Sequence, residues 1–189
     1  MNKILVLLAL VSPMCFAEWR LNGGESHLSF ISIKNGLIAE VHRFESLHGG
    51  VNGEGQASVN IGLASLETNI PIRNDRMKSM LFDTDRYALA TATGQLDLSQ
   101  YTDLEPGQSV VTNVDFLIDL HGIVQSMSAT VKVTRTGNAT WHVVSIRPLV
   151  LNATAYNLTE GIEALRAIAG LTEITPVVPV TFSLQFSKI

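Results

Sequence analysis

The chain has 189 residues, 46% of them hydrophobic, with a formal charge of −4 and a single cysteine. A mildly acidic chain with no basic run excludes a nucleic-acid binder held by phosphate contacts, and one cysteine excludes a disulfide scaffold. Beyond residue 17 no stretch is long and apolar enough to cross a membrane as a helix, so an integral membrane protein is not expected.

Residues 1–17 read MNKILVLLALVSPMCFA. Lys3, the apolar run Ile4–Val11, Pro13 and the small residues Cys15 and Ala17 form the pattern of a secretory signal peptide cleaved after Ala17. The run is too short for a spanning helix. A mature chain of Glu18–Ile189 loses Cys15 and so has no disulfide; its fold rests on an ordinary core, which a chain of this size can build. The expected location is the periplasm. No repeat or low-complexity linker divides residues 18–189, which read as one domain.

Period-two patterns dominate residues 18–189. In SHLSFISIK, Leu28 and Phe30 share a face. Asn35-Gly36 is a type I′ turn signal, because both central positions need positive φ, and the return strand runs from about Ile38 to Phe44. Ala57, Val59, Ile61 and Leu63 alternate with polar or small residues. GGVNGEG, Gly49 to Gly55, precedes a strand rather than a helix N-terminus, so it reads as a hairpin loop and not a phosphate cradle.

The next segment, SLETNIPIRNDRMKSMLF, breaks the alternation. Met77, Met80 and Leu81 fall at i, i+3, i+4, which predicts a short helix over about Asp75–Phe82 with Asn74 as its N-cap. Alternation then resumes. Val110, Thr112, Val114, Phe116, Ile118 and Leu120 share one face of a long strand, His121-Gly122 turns it, and Met127, Ala129, Val131 and Val133 return. A turn at Thr136–Asn138 leads to Trp141, Val143 and Ser145. A second helix is predicted over Thr159–Ala169, with Ile162, Leu165, Ile168 and Ala169 on one stripe, Asn157 or Thr159 as cap and Gly170 as stop. The last strand turns Val180, Phe182, Leu184 and Phe186 one way.

About eight strands with one apolar face each must stack or close on themselves. A sandwich and a barrel both satisfy this. An eight-stranded barrel leaves room for one small ligand, and strands of about ten residues at roughly 3.3 Å each make its interior about 30 Å long. The five histidines, His27, His42, His48, His121 and His142, show no compact metal spacing. No nucleophile-elbow motif is present, and nothing in the sequence calls for a cofactor.

Several of these stretches, in this order, resemble the YceI-like family of exported polyisoprenoid-binding proteins. They are SHLSFISIK, RFESLHGGV, SLETNIPIRNDRMKSMLFDTDRYALAT and LIDLHGIVQSMSATVKV. The chain departs from the family pattern at Arg76–Leu81, which lacks the histidine of an Arg-Asp-x-His-Leu run. It departs again in the small residues of Ala88–Thr93 and in a longer helix near the C-terminus. The resemblance implies an all-β, antiparallel, eight-stranded lipocalin-like barrel with two short helices, holding an apolar isoprenoid or quinone-like ligand and doing no catalysis. It suggests that the Arg73–Asp75 turn and the helix after it lie across one end of the barrel. There Met77, Met80 and Leu81 would face the ligand, and Arg73 and Arg76 would meet a polar headgroup. His27 and Arg43 on the first hairpin, and Phe116 and Phe182 on the long strands, complete the candidate ligand contacts. Arg73 and Arg76 read equally well as surface charges paired with Asp75, Asp83 or Asp85, and the Met77/Met80/Leu81 stripe as plain core. An enzyme on a lipid-like substrate and a ligand-free interaction module are the competing functions.

We predict that N-terminal sequencing of the exported protein finds Glu18 as the first residue; recovery of Met1 in that fraction would refute the cleaved signal.

Overall fold

The computed structural model describes residues 17–189, so the expected signal peptide, apart from Ala17, lies outside the described residues. The strands are β1 (Ala17–Leu21), β2 (His27–Lys34), β3 (Ile38–Phe44), β4 (Leu47–Asn52), β5 (Gln56–Gly62), β6 (Leu66–Glu67), β7 (Leu89–Gln95), β8 (Ser109–Leu120), β9 (Ile123–Arg135), β10 (Thr140–Ser145), β11 (Leu149–Asn152) and β12 (Val177–Lys188). Eight of them are hydrogen-bonded in the order β1-β4-β5-β7-β8-β9-β10-β12, and β12 closes the ring by pairing with β1. The architecture is therefore the eight-stranded antiparallel barrel, not the sandwich. Strands β2, β3 and β6 continue from the first half of β12 as a flap beside the ring.

Turn chemistry sets the registers. Asn35 and Gly36 have φ of 51° and 67°, and His121 and Gly122 have 54° and 74°; these are the positive values a type I′ turn needs. The His121-Gly122 turn pairs β8 with β9 along their length, from Leu120↔Ile123 to Ser109↔Thr134. Exposure alternates residue by residue down β8, with Val110, Val114, Phe116, Ile118 and Leu120 turned inward.

β12 has a different role, because it changes partners on both sides partway along. On one side its first half pairs with β11 and its second half with β10; on the other its first half pairs with β2 and its second half with β1. A serine bridges each break. Phe182 N donates to Ser145 Oγ (3.1 Å) where β10 leaves. Gln185 N donates to the buried Ser26 Oγ (3.0 Å) where β1 gives way to β2. Backbone groups that lose a ladder partner need another one, and the two hydroxyls supply it.

The helices differ from the sequence expectation in start and phase. α1 spans Pro71–Arg76 and runs on into a π-helical turn, Met77–Leu81. Proline at the first helical position needs no amide partner and has its φ already set, so the helix starts ahead of Asn74. Asn74 is consequently not a cap: it is buried within the helix, and its Oδ1 accepts from Thr68 N (2.9 Å) and Thr68 Oγ1 (2.5 Å). The π turn, closed by Phe82 N donating to Met77 O (3.0 Å), inserts one residue into the helical period. The inward set is therefore Met77, Leu81 and Phe82, at i, i+4, i+5, and Met80 is turned toward solvent. α2 spans Thr159–Ile168; Leu158 is its N-cap, neither Asn157 nor Thr159 caps it through a side chain, and Gly170 ends it at φ 63°.

α2 meets the π turn at Gly161. A Cβ there would lie 2.6 Å from Met80 O and 2.7 Å from Leu81 Cα, both fixed backbone atoms. We predict that Gly161→Ala costs about 1–2 kcal/mol, overpacking offset in part by the higher helix propensity of alanine, and lowers Tm by about 3–8 °C. An unchanged thermal melt would show that the two helical segments are not in rigid contact.

Candidate functional site

The barrel interior is open and has two parts. A narrow chamber of about 290 Å³ occupies the ring and is lined mainly by Val114, Phe116, Met127, Val131, Phe182 and Phe186, with both tryptophans, Trp19 and Trp141. A wide chamber of about 460 Å³ lies at the helical end, between the β2–β3 flap, α1 with its π turn, and α2. Leu28, Ile61, Ile118, Leu151 and Val180 belong to both linings and form the neck where the chambers meet. Both volumes are on the scale of small-molecule sites, which are typically about 300–1,000 Å³. Apart from a few serine, threonine and glycine positions, the narrow chamber offers a ligand only apolar surface.

Polar chemistry is confined to the wide chamber and comes from the flap and α1. Strand β3 turns Glu40 and His42 inward, while Val41 between them is 63% exposed. Glu40 binds two cations at once, Lys34 Nζ at 2.5 Å and Arg73 at 2.6 Å. Its hydrogen bond from Lys34 and the charge of Arg73 hold its carboxyl below the usual range. Arg73 also donates from Nε to Thr68 Oγ1 (2.9 Å) and from its other terminal nitrogen to Thr68 O (2.6 Å), so α1 is pinned to the flap through Glu40 and to its own approach strand through Thr68.

His42 is 3% exposed. Its Nε2 lies 2.8 Å from Ser32 Oγ, its Nδ1 has no hydrogen-bond partner, and its ring packs against Phe30 at 5.2 Å. Burial, helped by the positive charge of Arg73, pushes its pKa down to about 4. Among the described residues no group of three or more His, Cys, Asp or Glu is placed to hold a metal ion.

Of the residues singled out in the sequence, Arg73, Arg76, Met77 and Leu81 line the wide chamber, and Phe116 and Phe182 line the narrow one. Met80, His27 and Arg43 do not join them. Met80 is carried outward by the π turn. His27 is exposed, one residue before the inward Leu28. Arg43 follows the inward His42, so it projects outward and binds Glu45 at 2.8 Å. None of Asp75, Asp83 or Asp85 pairs with Arg73, whose partner is Glu40. Sequence reasoning missed Ser32, Glu40 and His42. The signal was there in the two-residue spacing of Ile38, Glu40, His42 and Phe44, with polar residues where an inward face is expected to be apolar.

The YceI-like domain model matches residues 19–186. The chain belongs to the YceI-like family. Among solved structures, a polyisoprenoid-binding domain from Saccharophagus degradans, implicated in plant cell wall breakdown, is 35% identical. That match covers 92% of this chain and 100% of that one, with a TM-score of 0.90. BcnA of Burkholderia cenocepacia is 20% identical over 87% of this chain and 98% of that one, with a TM-score of 0.64. The YceI protein of Campylobacter jejuni is 10% identical over 100% and 99%, with a TM-score of 0.58. These last two share the fold. No curated protein matches the chain.

For this YceI-like chain the neutral His42 sets a pH dependence. The folded ring stays unprotonated down to about pH 4, whereas the unfolded ring takes its proton near 6.5. The unfolded state therefore binds more protons within that window, and stability falls as the pH drops through it. The contribution is complete above about pH 6.5 and is gone by about pH 4, roughly 3 kcal/mol in all. Urea denaturation at pH 7 and about pH 4.5 should show a larger acid loss for the wild type than for His42→Gln. Parallel losses would place the acid sensitivity elsewhere.

Proposed function

We propose that this YceI-like protein is an exported, non-catalytic carrier of one long apolar chain, a polyisoprenoid, a prenyl quinone or a related lipid, held through the neck with its tail in the narrow chamber. The observation that carries this reading is the open interior. A ligand-free interaction module would fill its barrel with side chains, as small barrels commonly do, whereas here about 290 Å³ is left between apolar walls and continues past Leu28 and Ile118 into a larger space. The 35% identity to a polyisoprenoid-binding domain supports the same ligand class. Export to the periplasm is proposed on the Lys3, Ile4–Val11 and Ala17 pattern.

The affinity of such a site comes from apolar transfer, about 0.8 kcal/mol per buried CH₂ before ordering and association costs are subtracted. Isothermal titration calorimetry with prenyl alcohols of 10, 15 and 20 carbons should show tightening of at least about tenfold per five carbons, a net gain of about 1.4 kcal/mol or more at each step. The longest should bind in the micromolar to nanomolar range. Equal affinity for all three would refute a ligand threaded through both chambers.

A further inference from the structure

The wall of the ring contains a seam. Strand β10 pairs with β9 only as far as Ser145↔Val131, with Ile146 N donating to Thr130 O (3.1 Å) just beyond. The chain then leaves the wall through the exposed residues 146–148 and returns as β11, which pairs with β12 alone. Residues 123–129, the first half of β9, therefore have β8 on one side and no strand on the other. Among the described residues no backbone hydrogen bond crosses from this half to β11 or to the 3-10 turn Ala153–Tyr156 that follows it. Side chains make the crossing instead. Tyr156 Oη donates to Met127 Sδ (3.7 Å), and the exposed Gln125 donates from Nε2 to Ala155 O (3.4 Å).

Behind the seam lies the apolar interior: Met127 and Leu149 line the narrow chamber, and Leu151 stands at the neck. In front of it the lips are aliphatic as well. Val124 on β9 is 54% exposed, Val150 on β11 is 64% exposed, and Ile146 at the end of the seam is 48% exposed. An apolar tail slipping between the lips thus keeps apolar contact on both sides of the wall. The route past the helical end is held more firmly. At the tip of the flap, Asn35 N donates to Glu173 O (3.0 Å), and Asn35 Oδ1 accepts from Thr172 N (2.9 Å) and Thr172 Oγ1 (2.8 Å). Thr175 N donates to Ile33 O (2.9 Å) beside them, and the Arg73–Glu40 pair ties α1 to the same flap. Parting these elements breaks backbone and charge-assisted bonds together. Parting the seam breaks one bond to a thioether, which is a weak acceptor, and one amide bond already in contact with water. Met127 is also unbranched and can swing to another rotamer to clear the way.

Resting on the carrier reading above, we propose that the β9–β11 seam is a lateral portal: the apolar tail enters and leaves the barrel sideways, between Met127 and Tyr156, rather than end-on past the helices.

Residues 18–189 contain no cysteine, so pairs of thiols can be introduced to hold either route shut. Ser128→Cys with Val150→Cys places exposed thiols on the two lips, and Leu37→Cys with Glu173→Cys places them across the flap tip. A short bis-methanethiosulfonate linker bridges each pair, a mass shift verifies the bridge, and a reducing agent removes it. Transfer of tritiated geranylgeraniol from the loaded protein to phosphatidylcholine vesicles gives the exit rate, and isothermal titration calorimetry gives the affinity. Bridging the seam should slow exit about tenfold or more, change affinity less than twofold, and be reversed by reduction; bridging the flap tip should change exit less than twofold. An unchanged rate with the seam bridged, an equal slowing by the flap bridge, or a loss of affinity as large as the slowing overturns the portal and leaves the carrier reading standing. Failure of geranylgeraniol to bind the unbridged protein overturns both.

Discussion

The structure depends on β12 having to serve two different neighbours on each side. If its whole length paired with one strand on either side, the ring would be a plain cylinder filled by its own side chains. Instead, β10 and β1 leave β12 partway along, β11 and β2 take their places, and Ser145 and Ser26 supply the hydrogen bonds lost at the two changeovers. The barrel can then open at one end without exposing unpaired backbone on β12. That opening makes room for the wide chamber, and α1, the π turn and α2 cover it. The placement of Gly161 against the backbone of Met80 and Leu81 shows how closely the two halves of this cover fit.

Polar and apolar tasks are divided along the same line. Inside the ring every inward position competes for the same apolar interior, and an unpaired polar group there would cost about 1–3 kcal/mol by mutational measures. The flap is less constrained. Strand β3 lies at the open end, where Lys34, Arg73 and Thr68 are within reach, so Glu40 is satisfied by neighbours rather than by water. His42 takes Ser32 as its partner and remains neutral. The lone aliphatic residue between them, Val41, points outward, so over Glu40–His42 the flap inverts the usual sense of the pleat, while Phe30 and Phe44 on the same inward face keep it.

Most strands were legible because burial on one face leaves a period of two in the sequence, and the Asn35-Gly36 and His121-Gly122 turns were legible because few residue pairs tolerate two successive positive φ angles. Periodicity left closure open and only the family resemblance implied it, since it rests on Trp19 meeting Lys188 across nearly the whole chain, and no local pattern records that pairing. The phase of Met77–Leu81 was misjudged for a definite reason: the i, i+3, i+4 rule assumes an α period, and one π turn moves Met80 out and Phe82 in. The partner of Arg73 escaped because Glu40 lies 33 residues earlier, whereas the sequence offered three aspartates close by. Alternation identifies which face is inward, but it does not say that an inward face will be polar.

The placement of the two tryptophans has an optical consequence. Both indoles, Trp19 and Trp141, line the narrow chamber, and neither lines the wide one. A molecule lodged only among the flap and helices leaves their surroundings unchanged. A chain that passes Leu28, Ile61 and Ile118 comes up against them. The intrinsic emission of the protein is therefore a gauge of how far a guest reaches, dark to its head and sensitive to its tail.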